Sequence, residues 1–368
     1  MHSATEWIAS LSPWPEEFGL ERMRTLLREL GDPQGEYPAI HVVGSNGKST
    51  AVRTIEDLLA AEGLLVGAYV SPHVRGWSER IRVDGDDADF EAAVARVRSA
   101  AEALAATQFE VVTAAALAAF AEAGVDVAVV EAGLGGRLDA TNALRTRVVV
   151  LTNVSLEHTD VLGDTREAIA REKLAVAASP SVVVLGEGEW EELARACGAT
   201  DVRVSDDVAR AAAEAFLGRT VDRTVEPELP GRFEVRGEQP LELWDGAHNP
   251  AGAQYLVERL PERDFVVVAS ILRDKDADAM LSAFARVGST FVATRSANAR
   301  ALEPEELAAR AAREFEHVEA VADPADARAR ARELAGREGA VLVTGSLYLL
   351  QELGNRSENV RWGSLASG

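Results

Sequence analysis

Ala39-Ile40-His41-Val42-Val43, followed by Gly44-Ser45-Asn46-Gly47-Lys48-Ser49-Thr50, is an apolar run that breaks into a glycine-rich turn. An amphipathic stretch marked by Val52, Ile55, Leu58 and Leu59 comes next. Strand, turn and helix in that order form a phosphate cradle. Glycines let backbone N–H groups face anionic oxygens, and the helix presents its positive end. Lys48 would reach the outer phosphates, with the Ser49 or Thr50 hydroxyl near a metal ion. The usual spacing places a further glycine where Val42 stands, so only Gly44 serves upstream. A second motif, Trp244-Asp245-Gly246-Ala247-His248-Asn249-Pro250, adds acid, imidazole and amide after another apolar run. Together the two favour an ATP-driven enzyme over a passive binding module.

At 368 residues the chain suits two domains rather than one core. Its net charge of −22 argues against a nucleic-acid footprint. It has no apolar run of membrane-spanning length and no signal-like N-terminus. The single cysteine, Cys197, excludes an intramolecular disulfide and fits a reducing cytoplasm. Three lysines stand against 35 arginines, and all three (Lys48, Lys173, Lys275) lie in or beside motifs. An amine can be deprotonated and modified where a guanidinium cannot.

β-rich runs alternate with helical stretches, the pattern of an α/β protein with a mainly parallel sheet. Strands are expected at 39–44, 65–70, 126–131, 148–152 and 181–185, with helices over 89–104, 111–123 and 166–178. A second alternating set places strands at 241–244, 265–269, 290–293, 317–321 and 340–344, with helices over 303–314 and 324–334. Residues 223–231 fit neither pattern and read as a linker. Domains are expected at 1–234 and 235–368. Ligands of such sheets bind beyond the carboxyl ends of strands, where the motifs sit.

Three further constellations follow the phosphate loop. Tyr69-Val70-Ser71-Pro72-His73 closes the second strand. Glu131 ends a buried strand and opens into Ala132-Gly133-Leu134-Gly135-Gly136-Arg137-Leu138-Asp139-Ala140-Thr141-Asn142. A hard oxygen donor at a strand end suits Mg²⁺, and no helix start marks this loop as a dinucleotide site. Leu156-Glu157-His158 follows the next strand, and Glu172-Lys173 lies on the helix after it.

These pieces, with Pro230-Gly231-Arg232-Phe233 and Thr344-Gly345-Ser346-Leu347-Tyr348, occur in an order that resembles the folylpolyglutamate synthase / dihydrofolate synthase family of Mur-type ligases. The resemblance covers almost the whole chain. It implies a P-loop-containing, Mur-ligase-like ATP-binding domain and a smaller Rossmann-like C-terminal glutamate-ligase domain. It implies ATP, Mg²⁺ (with K⁺ as a further candidate), dihydropteroate or folate, and L-glutamate, in a cytoplasmic monomer. ATP would phosphorylate a carboxylate, and the glutamate amine would attack the acyl phosphate. Gly44 to Thr50, Arg232 and Asp245 would bind nucleotide; Ser71, Glu131, His158 and a carbamylated Lys173 would hold metal. Lys48, His158, Lys173 and His248 would be catalytic. Gly19, Leu20, Thr107, Phe109, Glu110 and Arg137 would contact the pterin-bearing substrate, and domain closure would exclude water.

The chain departs from the family pattern in having Ser49 directly after the loop lysine. It also lacks the adenine-contacting asparagine, for which Asp207 is the nearest candidate. Leu272-Arg273-Asp274-Lys275-Asp276 matches a family loop and equally reads as a solvated turn. Two alternatives stand beside the folate reading: a Mur-type ligase acting on a non-folate carboxylate, and a nucleotide-binding switch without ligase activity.

Overall fold

Runs of valine and isoleucine with no polar alternation must be buried on both faces, and they form the central strands of two sheets. The computed structural model describes residues 3–15, 17–177 and 181–355. Within these limits the chain divides into one unit of residues up to 73 with 77–228, and a second of 74–76 with the residues from 229 on. The expected boundary after residue 234 falls inside the first strand of the second sheet. The outermost positions of both expected domains, 1–2 and 356–368, lie outside the described residues, as does position 178 of the helix expected over 166–178.

The first sheet comprises β1 (Ala39–Val43), β2 (Val66–Tyr69), β3 (Ile81–Val83), β4 (Asp86–Asp87), β5 (Val127–Glu131), β6 (Thr146–Leu151), β7 (Ser181–Leu185) and β8 (Ala199–Val204). Their order is β4-β3-β2-β5-β1-β6-β7-β8, parallel except for β3 and β4. β1 and β5 are buried along their whole length. On one face Ile40 and Val42 of β1 pack with Val52, Ile55, Leu58 and Leu59 from the helix Lys48–Ala61. On the other, Val43 joins Ile169, Ala170 and Leu174 of the helix Arg166–Leu174. The helix Gln108–Ala123 is buried at every residue from 110 to 120, so it has no polar stripe and belongs to the interior.

The second sheet comprises β9 (Glu234–Glu238), β10 (Leu241–Trp244), β11 (Phe265–Ala269), β12 (Thr290–Ala293), β13 (His317–Ala320) and β14 (Ala340–Thr344). Their order is β13-β12-β11-β14-β10-β9, parallel except for β9. β14 lies between β10 and β11, so the chain reverses its winding there. The crevice at such a switch point opens at the carboxyl ends of the strands.

Every expected strand is present within two residues, and residues 223–231 carry no helix or strand. β3, β4, β8 and β9 were not expected. They are short or polar segments at or next to a sheet edge, such as Ala-Thr-Asp-Val-Arg-Val, made strands by a neighbour's hydrogen bonds rather than by an apolar run. Three helix ends also differ by three residues or more. The helix expected over 303–314 ends at Ala311. The helix expected from 111 begins at Gln108, because Thr107 and Glu110 form a capping box. The helix expected over 166–178 ends at Leu174.

Candidate active site

The phosphate loop leaves β1 at Gly44, whose φ of +147° and position against Thr152 exclude a side chain: a Cβ would lie 1.9 Å from Thr152 Oγ1. Gly47, at φ +79°, starts the helix Lys48–Ala61 with no side-chain cap, so its first-turn amides are left to other acceptors. The loop is pinned from behind by the residues after β6. Asn153 accepts from the Asn46 amide (2.9 Å) and donates to its carbonyl (3.1 Å), which also accepts from Thr152 Oγ1 (2.7 Å). The Ser45 hydroxyl accepts from the Ser155 amide at 2.9 Å. Ser49 is half-buried and Thr50 exposed.

Two ammonium groups converge on one carbonyl. Lys48 Nζ donates to Gly44 O (3.0 Å) and Ser45 O (3.3 Å), and Lys173 Nζ donates to Gly44 O (2.9 Å). Lys173 is 2% exposed and pairs with Glu157 Oε1 at 2.9 Å. Burial lowers the Lys173 pKa, opposed by Glu157 and reinforced by Lys48. Burial raises the Glu157 carboxyl, yet Lys173 and Lys48 outweigh it and hold the group at about 2. Glu157 lay within a motif, but no role followed from its sequence position. The acid beside His158 was the only signal.

Glu131, buried at the end of β5, accepts from the Ser71 amide at 3.2 Å, so strand-end carboxylate and Ser71 are brought together. His158 is exposed at φ +46°, opening the short helix Thr159–Leu162. Among the described residues no cluster of three or more His, Cys, Asp or Glu side chains forms a metal cage. One buried carboxylate beside a serine fits Mg²⁺, which keeps several waters and takes phosphate oxygens as ligands.

The glycine-rich loop after β5 is fixed by Asp139, whose carboxylate accepts from the Leu134 amide (2.8 Å), the Thr141 amide (3.0 Å) and the Thr141 hydroxyl. Because that hydroxyl donates to Asp139, it accepts from His41 Nε2 at 2.8 Å. The tautomer of His41 is thereby set, and its buried Nδ1 has no hydrogen-bond partner among the described residues. Arg137 is exposed and pairs with Glu172 at 2.8 Å.

Burial holds His41 down at about 4, and burial with Arg80 holds His73 at about 3. Both folded values lie below the ordinary 6.5, so the unfolded chain takes up the protons first as pH falls. Stability is therefore full above about 6.5 and declines between about 6.5 and 3, by up to a few kcal/mol for each shift of this size. Thermal melts of the wild type should show this slope, and His41→Gln should flatten it. An unchanged slope in the variant would rule His41 out as a source.

The two expected substrate segments meet. Arg22 Nε donates to both oxygens of Glu110, at 3.0 and 2.8 Å, joining the helix Glu21–Glu29 to the helix Gln108–Ala123. Leu20 is buried, Gly19 exposed, and the half-buried Phe109 ring lies against Gly133. Thr107 and Glu110 are also structural, since Glu110 Oε2 accepts from the Thr107 amide (2.8 Å) and hydroxyl (2.7 Å).

In the second unit, Asp245 follows β10 and accepts from the Phe233 amide (2.9 Å) and the Ala247 amide (2.8 Å). Burial raises its pKa, opposed by Arg232. His248 Nδ1 lies 3.0 Å from Gly246 O, and Asn249 caps the helix Pro250–Arg259. Lys275 pairs with Asp274 at 3.3 Å, while Asp276 caps the helix Ala277–Phe284, as a solvated turn would. Asp207, the nearest substitute for an adenine-contacting asparagine, is used as the cap of the helix Val208–Leu217, accepting from the Arg210 amide at 3.0 Å.

A parallel sheet with a phosphate loop at its centre, followed by a second α/β unit, is the architecture of a Mur-type ATP-dependent ligase. Family models agree: residues 42–195 match the Mur ligase middle domain, and residues 231–347 match the Mur ligase glutamate ligase domain. The dihydrofolate synthase/folylpolyglutamate synthase of Mycobacterium tuberculosis is 33% identical over 82% of this chain and 80% of its own. A folylpolyglutamate synthase structure from that organism, complexed with ADP, superposes with a TM-score of 0.87 at 30% identity, covering 97% of this chain and 98% of that one. A bifunctional synthase structure with Mn, AMPPNP and L-glutamate bound gives a TM-score of 0.83 at 29% identity, covering 96% and 97%. A probable bifunctional folylpolyglutamate synthase/dihydropteroate synthase of Haloferax volcanii is 36% identical over 95% of this chain, which spans 50% of that relative's length. The chain belongs to the folylpolyglutamate synthase / dihydrofolate synthase family and is an ATP-dependent acid–amino-acid ligase.

Proposed function

We propose that the protein joins L-glutamate to the carboxylate of dihydropteroate, of a folate glutamate tail, or of both. The observation that carries the chemistry is the Lys48 ammonium seated against Gly44 O and Ser45 O in a loop that leads into uncapped helix amides. That is a site for concentrated phosphate charge. Phosphoryl transfer needs positioning and charge neutralisation more than covalent help. In the first step a carboxylate oxygen attacks the γ-phosphorus and ADP leaves. In the second, the glutamate nitrogen attacks the acyl carbon, phosphate leaves and the nitrogen gives up its proton. The Lys48 ammonium offsets the charge gathering on the phosphates. Ser71, Glu131 and His158 would hold Mg²⁺, which supplies further phosphate-charge neutralisation.

The lowered Lys173 pKa raises the neutral fraction of its amine, the form that combines with CO₂. A carbamate there would add a carboxylate to the metal side of the site, as the family resemblance implies. Arg232 and Asp245 are assigned to nucleotide binding, and His158 and His248 complete the reacting set. Gly19, Leu20, Thr107, Phe109, Glu110 and Arg137 are assigned to the pterin-bearing substrate. The unit ahead of residue 229 is the ATP-binding part, and the one after it the glutamate-ligase part. No helix is long and apolar enough to cross a membrane among the described residues. With the acidic charge and lone cysteine, a cytoplasmic monomer acting on small molecules is the reading we adopt.

The test is phosphate release with ATP, Mg²⁺ and L-glutamate, comparing dihydropteroate, a reduced folate monoglutamate and no acceptor, with products weighed by mass spectrometry. A gain of one glutamate on either acceptor is expected. The productive acceptor separates the two synthase activities. Nucleotide binding without mass gain on either would overturn the folate substrate.

A further inference from the structure

We infer that Glu187 and Arg166 are positioning residues for the nucleotide, acting through the backbone of Val154 on the phosphate loop. Glu187 follows β7, and its Oε2 accepts from the Val154 amide at 3.0 Å. Arg166 Nε donates to the Val154 carbonyl at 2.9 Å. The two side chains pair at 3.0 Å, and Trp190 Nε1 donates to Glu187 Oε2 at 2.8 Å. Arg166 also stacks over the Trp190 ring at 5.2 Å. Val154 is thus gripped at both of its backbone polar groups, while its side chain is buried in the same core cluster as Trp190.

The residues on either side of Val154 hold the phosphate loop. Asn153 bonds both backbone groups of Asn46, and the Ser155 amide donates to Ser45 Oγ. Gly186 lets this brace sit close: a Cβ there would lie 2.0 Å from the Thr152 carbonyl oxygen. A rigid link therefore runs from Glu187 and Arg166 through residues 153–155 to Ser45 and Asn46. Loop amides must be placed before the phosphates arrive, because ordering them on binding costs affinity.

The inference rests on the assignment of residues 44–50 to nucleotide binding, so Lys48→Ala is measured alongside. ADP affinity by calorimetry, and KM for ATP, L-glutamate and the folate acceptor, are read for Glu187→Ala, Glu187→Gln and Arg166→Met, with thermal melts as the folding control. Glu187→Ala is expected to weaken ADP binding and raise KM for ATP about tenfold, the size of one lost hydrogen bond. KM for the other two substrates should stay within about twofold. Glu187→Gln keeps an acceptor for the Val154 amide and should restore most of the affinity. Arg166→Met, which spares the packing on Trp190, should act in the same direction. If Lys48→Ala weakens ADP binding and the folded Glu187 and Arg166 variants do not, the brace is refuted. A lowered melting temperature with unchanged nucleotide affinity would refute it equally. If Lys48→Ala leaves ADP binding intact, the loop assignment fails and the brace with it.

Discussion

Lys48→Ala should lower turnover about a thousandfold, the scale seen when one preorganised donor to transition-state charge is removed. The melting temperature should hardly move. Lys48 is half-buried and, among the described residues, bonds two carbonyls of its own loop, at 3.0 and 3.3 Å. Losing such contacts costs on the order of 1 kcal/mol. Arginine should not rescue it, because a planar guanidinium cannot replace a compact ammonium seated between adjacent carbonyls. Steady-state rates beside circular dichroism melts check this, and undiminished turnover in a folded variant would remove Lys48 from the site.

Lys173→Ala carries the second large effect, on stability as well as rate. The Lys173 and Glu157 side chains are 2% and 11% exposed, so deleting the amine strands a buried carboxylate held at about 2 by its partners. Removing one member of such a pair costs about 3 kcal/mol or more. The Lys173→Met, Glu157→Gln double variant should regain much of that stability, having no uncompensated charge. It should stay inactive, and bicarbonate should restore neither variant if the carbamate is the working form. A Lys173→Ala protein that melts like wild type would show that the ion pair contributes little. An active one would exclude Lys173 from catalysis.

The sequence disclosed the interior of the fold more readily than its edges. β1, β5, β11, β12 and β14 are mostly apolar runs of the kind a doubly covered strand uses. β8 and β9 are polar, and a neighbour's ladder decides their conformation. Thr107 and Glu110 carried a local cap signature that fixed the helix start at Gln108. That signature is legible by spacing alone, whereas apolar periodicity begins three residues later, at Val111. Candidate site residues in local motifs, including Lys48, Glu131, Lys173 and Asp245, are legible in the sequence. Partners far apart in the chain are not: Lys173 reaches Gly44 O across 129 positions, and Glu187 reaches Val154 across 33.

By itself, the sequence determined the two alternating α/β units, the family and the residues able to bind phosphate or a hard metal. The units and the candidate ligands rest on local chemistry (periodicity of burial, backbone freedom at glycine, and donor type), and the family on the order of motifs that resemble it. Only the tertiary structure decided that Glu157 holds Lys173, that His41 braces the glycine-rich loop through Thr141 and Asp139, and that Glu187 with Arg166 grips the strand end behind the phosphate loop. These are directional contacts between segments distant in the chain. Their angles and distances follow from how strands and helices pack, which no single stretch of sequence encodes.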